Sequence, residues 1–261
     1  MTELLADVDL STMPRGGPNA SKWNRSMDPT ELEFLDREDV SEKRKRAVMR
    51  GVDRLNRLGR IYPRNTEQVM TAVSDVYAPR ILELGAGHGQ LARQILTDHP
   101  DAVVTASDYS PDLVATMAAS DLGSHPRATV KLLDATAIDA PDQSYDLAVF
   151  TSSMHHLTPD QVVELFREAT RVARSLLVID LKRESTWRLF TFPVLAYLVL
   201  PLVGYSTVHD GIISARRAYG EEALETIAAH AGCRIWLRKF AGQNAITVIR
   251  RPIAAEALRS A

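Results

Sequence analysis

The residues best suited to chemistry lie in one short run, Ile81-Leu82-Glu83-Leu84-Gly85-Ala86-Gly87-His88-Gly89-Gln90. Gly85 and Gly87 permit a tight turn and let a ligand lie against bare backbone. A dinucleotide loop reads G-x-G-x-x-G, and a phosphate loop ends in Gly-Lys-Ser/Thr. Neither pattern fits, because Gln90 stands where the third dinucleotide glycine would fall. Glu83 also sets a carboxylate two residues before the loop. That carboxylate repels phosphate and suits a cationic or hydroxyl-bearing ligand. Asp108 follows about 20 residues on, where an acid hydrogen-bonds ribose hydroxyls. Asp134 closes the next apolar stretch. A strand-end cap explains any one of these acids. Three of them beside a glycine loop describe a ligand site.

The elements that must position these residues alternate regularly. Strands are expected at 80–84, 102–107, 129–133, 145–150 and 175–180, with helices at 90–97, 111–119 and 159–172. Short apolar runs between amphipathic helices mean βα units and a parallel sheet. A helix at 220–231, stopped by Gly232, and strands at 233–237 and 245–249 close the chain. Upstream, residues 1–27 are expected to be a mobile tail. Asp28-Pro29 resembles an N-cap followed by proline at the first helical position, which predicts a short helix to about Arg37. Ser41 opens a stronger helix to Gly59, with Val48, Val52, Leu55 and Leu58 on one side among Lys43, Arg44, Lys45, Arg46, Arg50, Arg54 and Arg57. It reads either as a surface helix with a solvated basic face or as a face for anionic lipid, an acidic partner or RNA.

The chain has 261 residues, 45% hydrophobic and 25% charged, with 31 Lys+Arg against 33 Asp+Glu. That balance excludes a DNA-coating protein and a disordered chain. The single cysteine, Cys233, excludes an intrachain disulfide and a cysteine-based metal site. The acidic N-terminus is unlike a signal peptide, so cytoplasm is the expected compartment.

The motif set resembles the class I S-adenosylmethionine-dependent methyltransferases. ELGAGHG (83–89) is similar to their E/D-x-G-x-G-x-G loop, SDYSP (107–111) to their second-strand acidic motif and LDATAID (133–139) to the segment beside the adenine. YDLAVFTSSMHHL (145–157) is similar to their fourth strand and the loop after it. The resemblance covers about residues 79–180. It implies an α/β, Rossmann-like, doubly wound seven-stranded sheet of order 3-2-1-4-5-7-6, its last strand antiparallel. It implies S-adenosylmethionine as cofactor. Glu83 would anchor the methionine end, while Gly85, Ala86 and Gly87 pack on the cofactor through backbone. Asp108 would take the ribose and Tyr109 the adenine face. Asp134 and the Ala135 N–H would meet the adenine edge, and Thr151 and Ser152 would line the methionine portion. The methyltransferase domain would then comprise 79–184 and 210–252, preceded by a helical segment at 28–78.

A hydroxyl acceptor needs a base, and His155, His156 and His209 are the candidates. The string HDGIISARRAYGEEALETIAAHAG (209–232) resembles a segment of bacterial methyltransferases of secondary metabolism and quinone biosynthesis. There is no Asp/Asn-Pro-Pro-Tyr/Phe motif, which disfavours nucleobase amines, and no catechol-type acidic cluster, so no metal or nucleic acid is expected. Between Leu189 and Val208 no side chain is charged. Pro193 and Pro201 interrupt that stretch, so the insertion at 185–209 is expected to cover the acceptor pocket rather than span a membrane. Phe190, Phe192, Tyr197 and Tyr205 would enclose a flat, apolar small molecule, or else pack on the sheet or a second subunit. Methyl transfer to oxygen is the first expectation and to carbon the second. The alternatives are a non-catalytic cofactor-binding assembly protein and a membrane-associated lipid or quinone enzyme.

Overall fold

Apolar residues at alternate positions face opposite sides of each central strand. The computed structural model describes residues 8–240 and 242–251. Its sheet comprises β1 (Arg80–Leu84), β2 (Val103–Asp108), β3 (Ala128–Leu132), β4 (Leu147–Thr151), β5 (Leu176–Leu181), β6 (Cys233–Phe240) and β7 (Gln243–Arg250). The order is β3-β2-β1-β4-β5-β7-β6, as expected. β7 runs antiparallel to both β5 and β6, and the other pairings are parallel. Leu82, Leu84, Ala148, Phe150, Leu176 and Val178 form one core; Ile81, Val104, Leu147, Val149, Leu177 and Ile179 form the other. Burial of both sheet faces is why these strands read as near-continuous apolar runs.

The helices of eight residues or more among the described residues are α1 (Glu42–Leu58), α2 (Ile61–Ala72), α3 (Gln90–Asp98), α4 (Pro111–Ala118), α5 (Pro159–Val172), α6 (Thr186–Ala196), α7 (Tyr205–Arg217) and α8 (Glu221–His230). α5 starts with a full capping box, Thr158 and Gln161 exchanging side-chain and backbone bonds. α2 falls inside the helical segment expected at 28–78, and it accommodates Pro63. That proline lies in the first turn, where its missing N–H has no helical partner to lose. Arg60, at φ 51°, makes the left-handed corner between α1 and α2.

Two upstream expectations fail. No helix forms at 29–37. Asp28 does not cap one: its carboxylate accepts from the Arg15 backbone N–H at 3.0 Å and from Arg183 at 2.6 Å. Residues 8–27 are not a loose tail either. Leu10 and Met13 enter the core, and Arg15 lies over the Tyr219 ring while donating to the His155 and Arg217 carbonyls. Residues 1–7 and Pro252 lie outside the described residues.

Candidate cofactor and acceptor site

The glycine loop works by backbone geometry. Gly85, Gly87 and Gly89 all have φ between 58° and 72°, the left-handed region that side chains disfavour. A Cβ at Gly85 would press on the Phe150 ring at 3.0 Å, whereas at Gly87 it would meet nothing within 4 Å. Gly87 is therefore where the chain stays bare toward open space. Asp108 braces the loop, one carboxylate oxygen accepting from the Gly87 N–H and the other from the Ser110 N–H, both at 2.9 Å.

That open space is a cavity of about 620 Å³, within the range of small-molecule sites. Glu83, Gly85, Ala86, Gly87, Asp108, Thr151, Ser152 and His156 converge on it from the strand ends. Ser152 holds φ 53°, unusual for a non-glycine residue. Its roof comes from α1 and α2, through Arg46, Met49, Arg50, Val52, Asn56, Tyr62 and Asn65. No position-specific signal in the sequence marks these residues. The stripe on α1 shows that one face is covered, but not what covers it.

Glu83 is 1% exposed, its Oε2 has no hydrogen-bond partner, and burial pushes its carboxyl up to about 8. Asn65 Oδ1 is a second buried acceptor in the cavity wall without a partner. Buried polar atoms are ordinarily paired. Two orphaned acceptors in one cavity fit a donor-bearing, cationic ligand. An amino acid's ammonium group meets that description, so the residues present fit the methionine end of S-adenosylmethionine.

The other expected contacts do not reach the cavity. Tyr109 is exposed, and neither it nor Asp134 or Ala135 belongs to the lining. Asp134 turns back on its own chain, accepting from the Thr136 N–H and hydroxyl at 2.8 and 2.7 Å. The three histidines also separate. His209 stacks on Phe34 in a different surface depression, beside Asp210, whose carboxylate accepts the Phe34 N–H. His155 is buried, its Nδ1 2.7 Å from Asp180 and its Nε2 3.8 Å from Glu33. Burial opposes ionisation of Asp180, but His155 and two backbone N–H donors hold it below the usual carboxylate range. His156 alone of the three lines the cavity, with Nδ1 3.0 Å from Asp36 and Nε2 3.9 Å from Glu33. Desolvation pushes the Glu33 carboxyl up to about 7, against the pull of His156. Glu33 and Asp36 were not foreseen: the segment carrying them docks through Asp210, a contact without local sequence signature.

The apolar insertion does not cover this cavity. None of residues 185–209 lines it. α1 stands between, packed so closely on α7 that a Cβ at Gly51 would overlap the Thr207 side chain.

A family model described as a methyltransferase domain matches residues 81–175. That match agrees with the strand order and the glycine loop. Residues 81–175 are thus similar to a methyltransferase domain. Two curated relatives of this chain are malonyl-(acyl-carrier protein) O-methyltransferases. The Paenibacillus sp. protein is 32% identical over 104 residues, 38% of this chain and 37% of its own length. The Geobacter sulfurreducens protein is 30% identical over 141 residues, 53% of this chain and 50% of its own. The match thus spans half or less of those relatives. Human N-acetylserotonin methyltransferase, solved in complex with S-adenosylmethionine, shares the fold at TM-score 0.56 and 19% identity, over 85% of this chain and 63% of its own.

Proposed function

We propose that this methyltransferase transfers the methyl group of S-adenosylmethionine to an oxygen of an apolar or aromatic small molecule. One observation carries the reading: the orphaned Glu83 carboxyl, the bare Gly87 backbone and His156 open into one cavity. When bound, the cofactor supplies a sulfonium-activated methyl group. Glu83 and Asn65 would hold it by accepting hydrogen bonds, and Asp108 keeps the loop in shape. Leu35, Met49, Val52, Ile61 and Leu113 give the remaining wall an apolar character suited to a greasy acceptor. His156 Nε2 takes the acceptor hydroxyl proton, while Asp36 fixes the tautomer through Nδ1 and stabilises the imidazolium. A base placed this way accelerates transfer by roughly 10²–10⁴. His155 is a positioning residue, held by Asp180 behind His156. The curated relatives are O-methyltransferases, which supports oxygen over carbon.

The test is methyl transfer to a panel of phenols and hydroxyquinones by the wild type and His156→Ala. Turnover that falls in the variant while cofactor affinity holds supports the reading. Full activity in His156→Ala would move the base elsewhere, or favour a carbon or already ionised acceptor.

A further inference from the structure

The largest feature that this reading leaves unused is the insertion itself. Thr186–Val203 is 18 residues long and apolar enough to cross a bilayer, yet only 6% of it is buried. A helix apolar on all sides belongs in a core or a membrane; here Trp187, Phe190, Val194, Leu195 and Leu198 stand out in water. α1 lies alongside: Arg54 Nη1 donates to the Leu202 carbonyl at 2.6 Å, and Arg44 to the Ser206 hydroxyl at 3.2 Å. Leu55 and Leu58, one and two turns on from Gly51, extend the exposed apolar surface onto α1. The same helix carries seven Lys and Arg against two acids, in a chain whose net charge is −2.

We propose that the apolar segment Thr186–Val203 and the basic helix α1 form one docking face for an anionic lipid bilayer, with α6 lying in the headgroup–acyl boundary. The segment does not span. Arg183 before it is buried and tied to Asn24 and Asp28, and Thr207 and Val208 after it are buried against the same domain. Both ends therefore stay on one side of the membrane. α6 ends at Ala196, a 3-10 turn follows at Tyr197–Val199 and a single helical turn at Leu200–Val203, and Gly204 at φ 85° ends the segment, so it consists of short pieces that can lie flat. Trp187 and Phe190 stack at 6.4 Å at its start, and the indole of Trp187, apolar with one N–H, is the amphipathic ring of a lipid interface. Charge decides between occupants. A second copy would set α1 against α1 and repel, whereas anionic headgroups attract cations within about a Debye length.

α1 belongs to both surfaces: Met49 and Val52 wall the cavity, and Leu55 and Leu58 face outward. An acceptor dissolved in the leaflet would reach the cavity along one helix. That consequence rests on the proposed acceptor reading; bilayer docking does not, and its test needs no turnover.

The test is co-sedimentation of the full chain with phosphatidylcholine vesicles, with and without phosphatidylserine at about 30 mol%, at ~0.1 M salt. The expected result is binding to the anionic vesicles at least tenfold tighter than to neutral ones, weakened by added salt. Phe190→Ser with Leu198→Ser should abolish it, and Arg54→Gln with Arg57→Gln should reduce it about tenfold. Both double variants should keep wild-type cofactor affinity and circular dichroism, which separates lost docking from lost folding. Brominated lipid should quench fluorescence in the wild type and not in Trp187→Phe. No vesicle binding, equal binding to neutral vesicles, or a stable dimer in solution that the Phe190/Leu198 variant dissolves would each overturn the proposal.

Discussion

As the proposed acceptor of the cofactor's ammonium group, Glu83 should make cofactor affinity depend on pH in a direction fixed by its burial. The group is neutral in the empty protein up to about pH 8, because an ionised carboxylate in that position is desolvated. A ligand ammonium favours the ionised form, so binding must first drive off a proton. At pH 6 that costs two pH units, about 2.7 kcal/mol at 1.36 kcal/mol per unit. Affinity for S-adenosylhomocysteine, the stable demethylated product, should therefore rise about tenfold per pH unit from pH 6 to about 7.5. It should level off near pH 8, where the ligand's own amino group begins to titrate. Calorimetry in two buffers of different ionisation enthalpy should show close to one proton released per ligand bound at pH 6.5. Glu83→Gln should flatten the profile and bind up to about a hundredfold more weakly than wild type at pH 8. Glu33, pushed up to about 7, titrates in the same window but does not line the cavity. Glu33→Gln should leave the slope intact. A pH-independent affinity in the wild type, or the same slope in Glu83→Gln, would refute the assignment.

Stability follows the opposite course. Glu83 and Glu33 both have raised folded values, so between about pH 4.5 and 8 the native state binds more protons than the unfolded one. Stability of the cofactor-free protein should fall as pH rises through that window and stay low above it; a melting temperature that rises from pH 5 to pH 8 would contradict this. Asp108→Ala removes the acceptor for the Gly87 and Ser110 N–H groups, and should weaken cofactor binding about ten- to a hundredfold by calorimetry. His155→Ala leaves Asp180 without its partner in the core, and should cost about 3 kcal/mol or more of stability by denaturant titration. His209→Ala, remote from the cavity, should retain wild-type turnover. Gly51→Val should destabilise the protein by roughly 1–3 kcal/mol by forcing α1 off Thr207.

Much of the sheet was legible because its strands are covered on both faces, which writes Leu147–Phe150 and Leu176–Ile179 as unbroken apolar runs. The glycine loop was legible because left-handed backbone leaves glycine little competition. Side-chain direction was not: Asp108 ends β2 and Asp134 lies two residues past the end of β3, yet one braces the loop and the other bends onto Thr136. Long-range docking was equally silent. Asp28 carries the residue type of a cap but spends its charge on Arg183. The 189–203 stretch is apolar, interrupted by Pro193 and Pro201 and set after the fifth strand, a combination that reads as a cover over a pocket. The close approach at Gly51, visible only in three dimensions, gives that role to α1 and leaves the apolar segment in solvent.

The central claim is that the cavity beneath α1 brings an apolar hydroxyl to an activated methyl group. It is tested most directly by incubating the purified protein with trideuteromethyl S-adenosylmethionine and an extract of apolar metabolites, then comparing extract and product by mass spectrometry. The account predicts at least one apolar metabolite gaining a trideuteromethyl group on oxygen, with the gain lost in His156→Ala. A protein that binds the cofactor at Glu83 with the expected pH profile, yet labels no apolar metabolite, would contradict it.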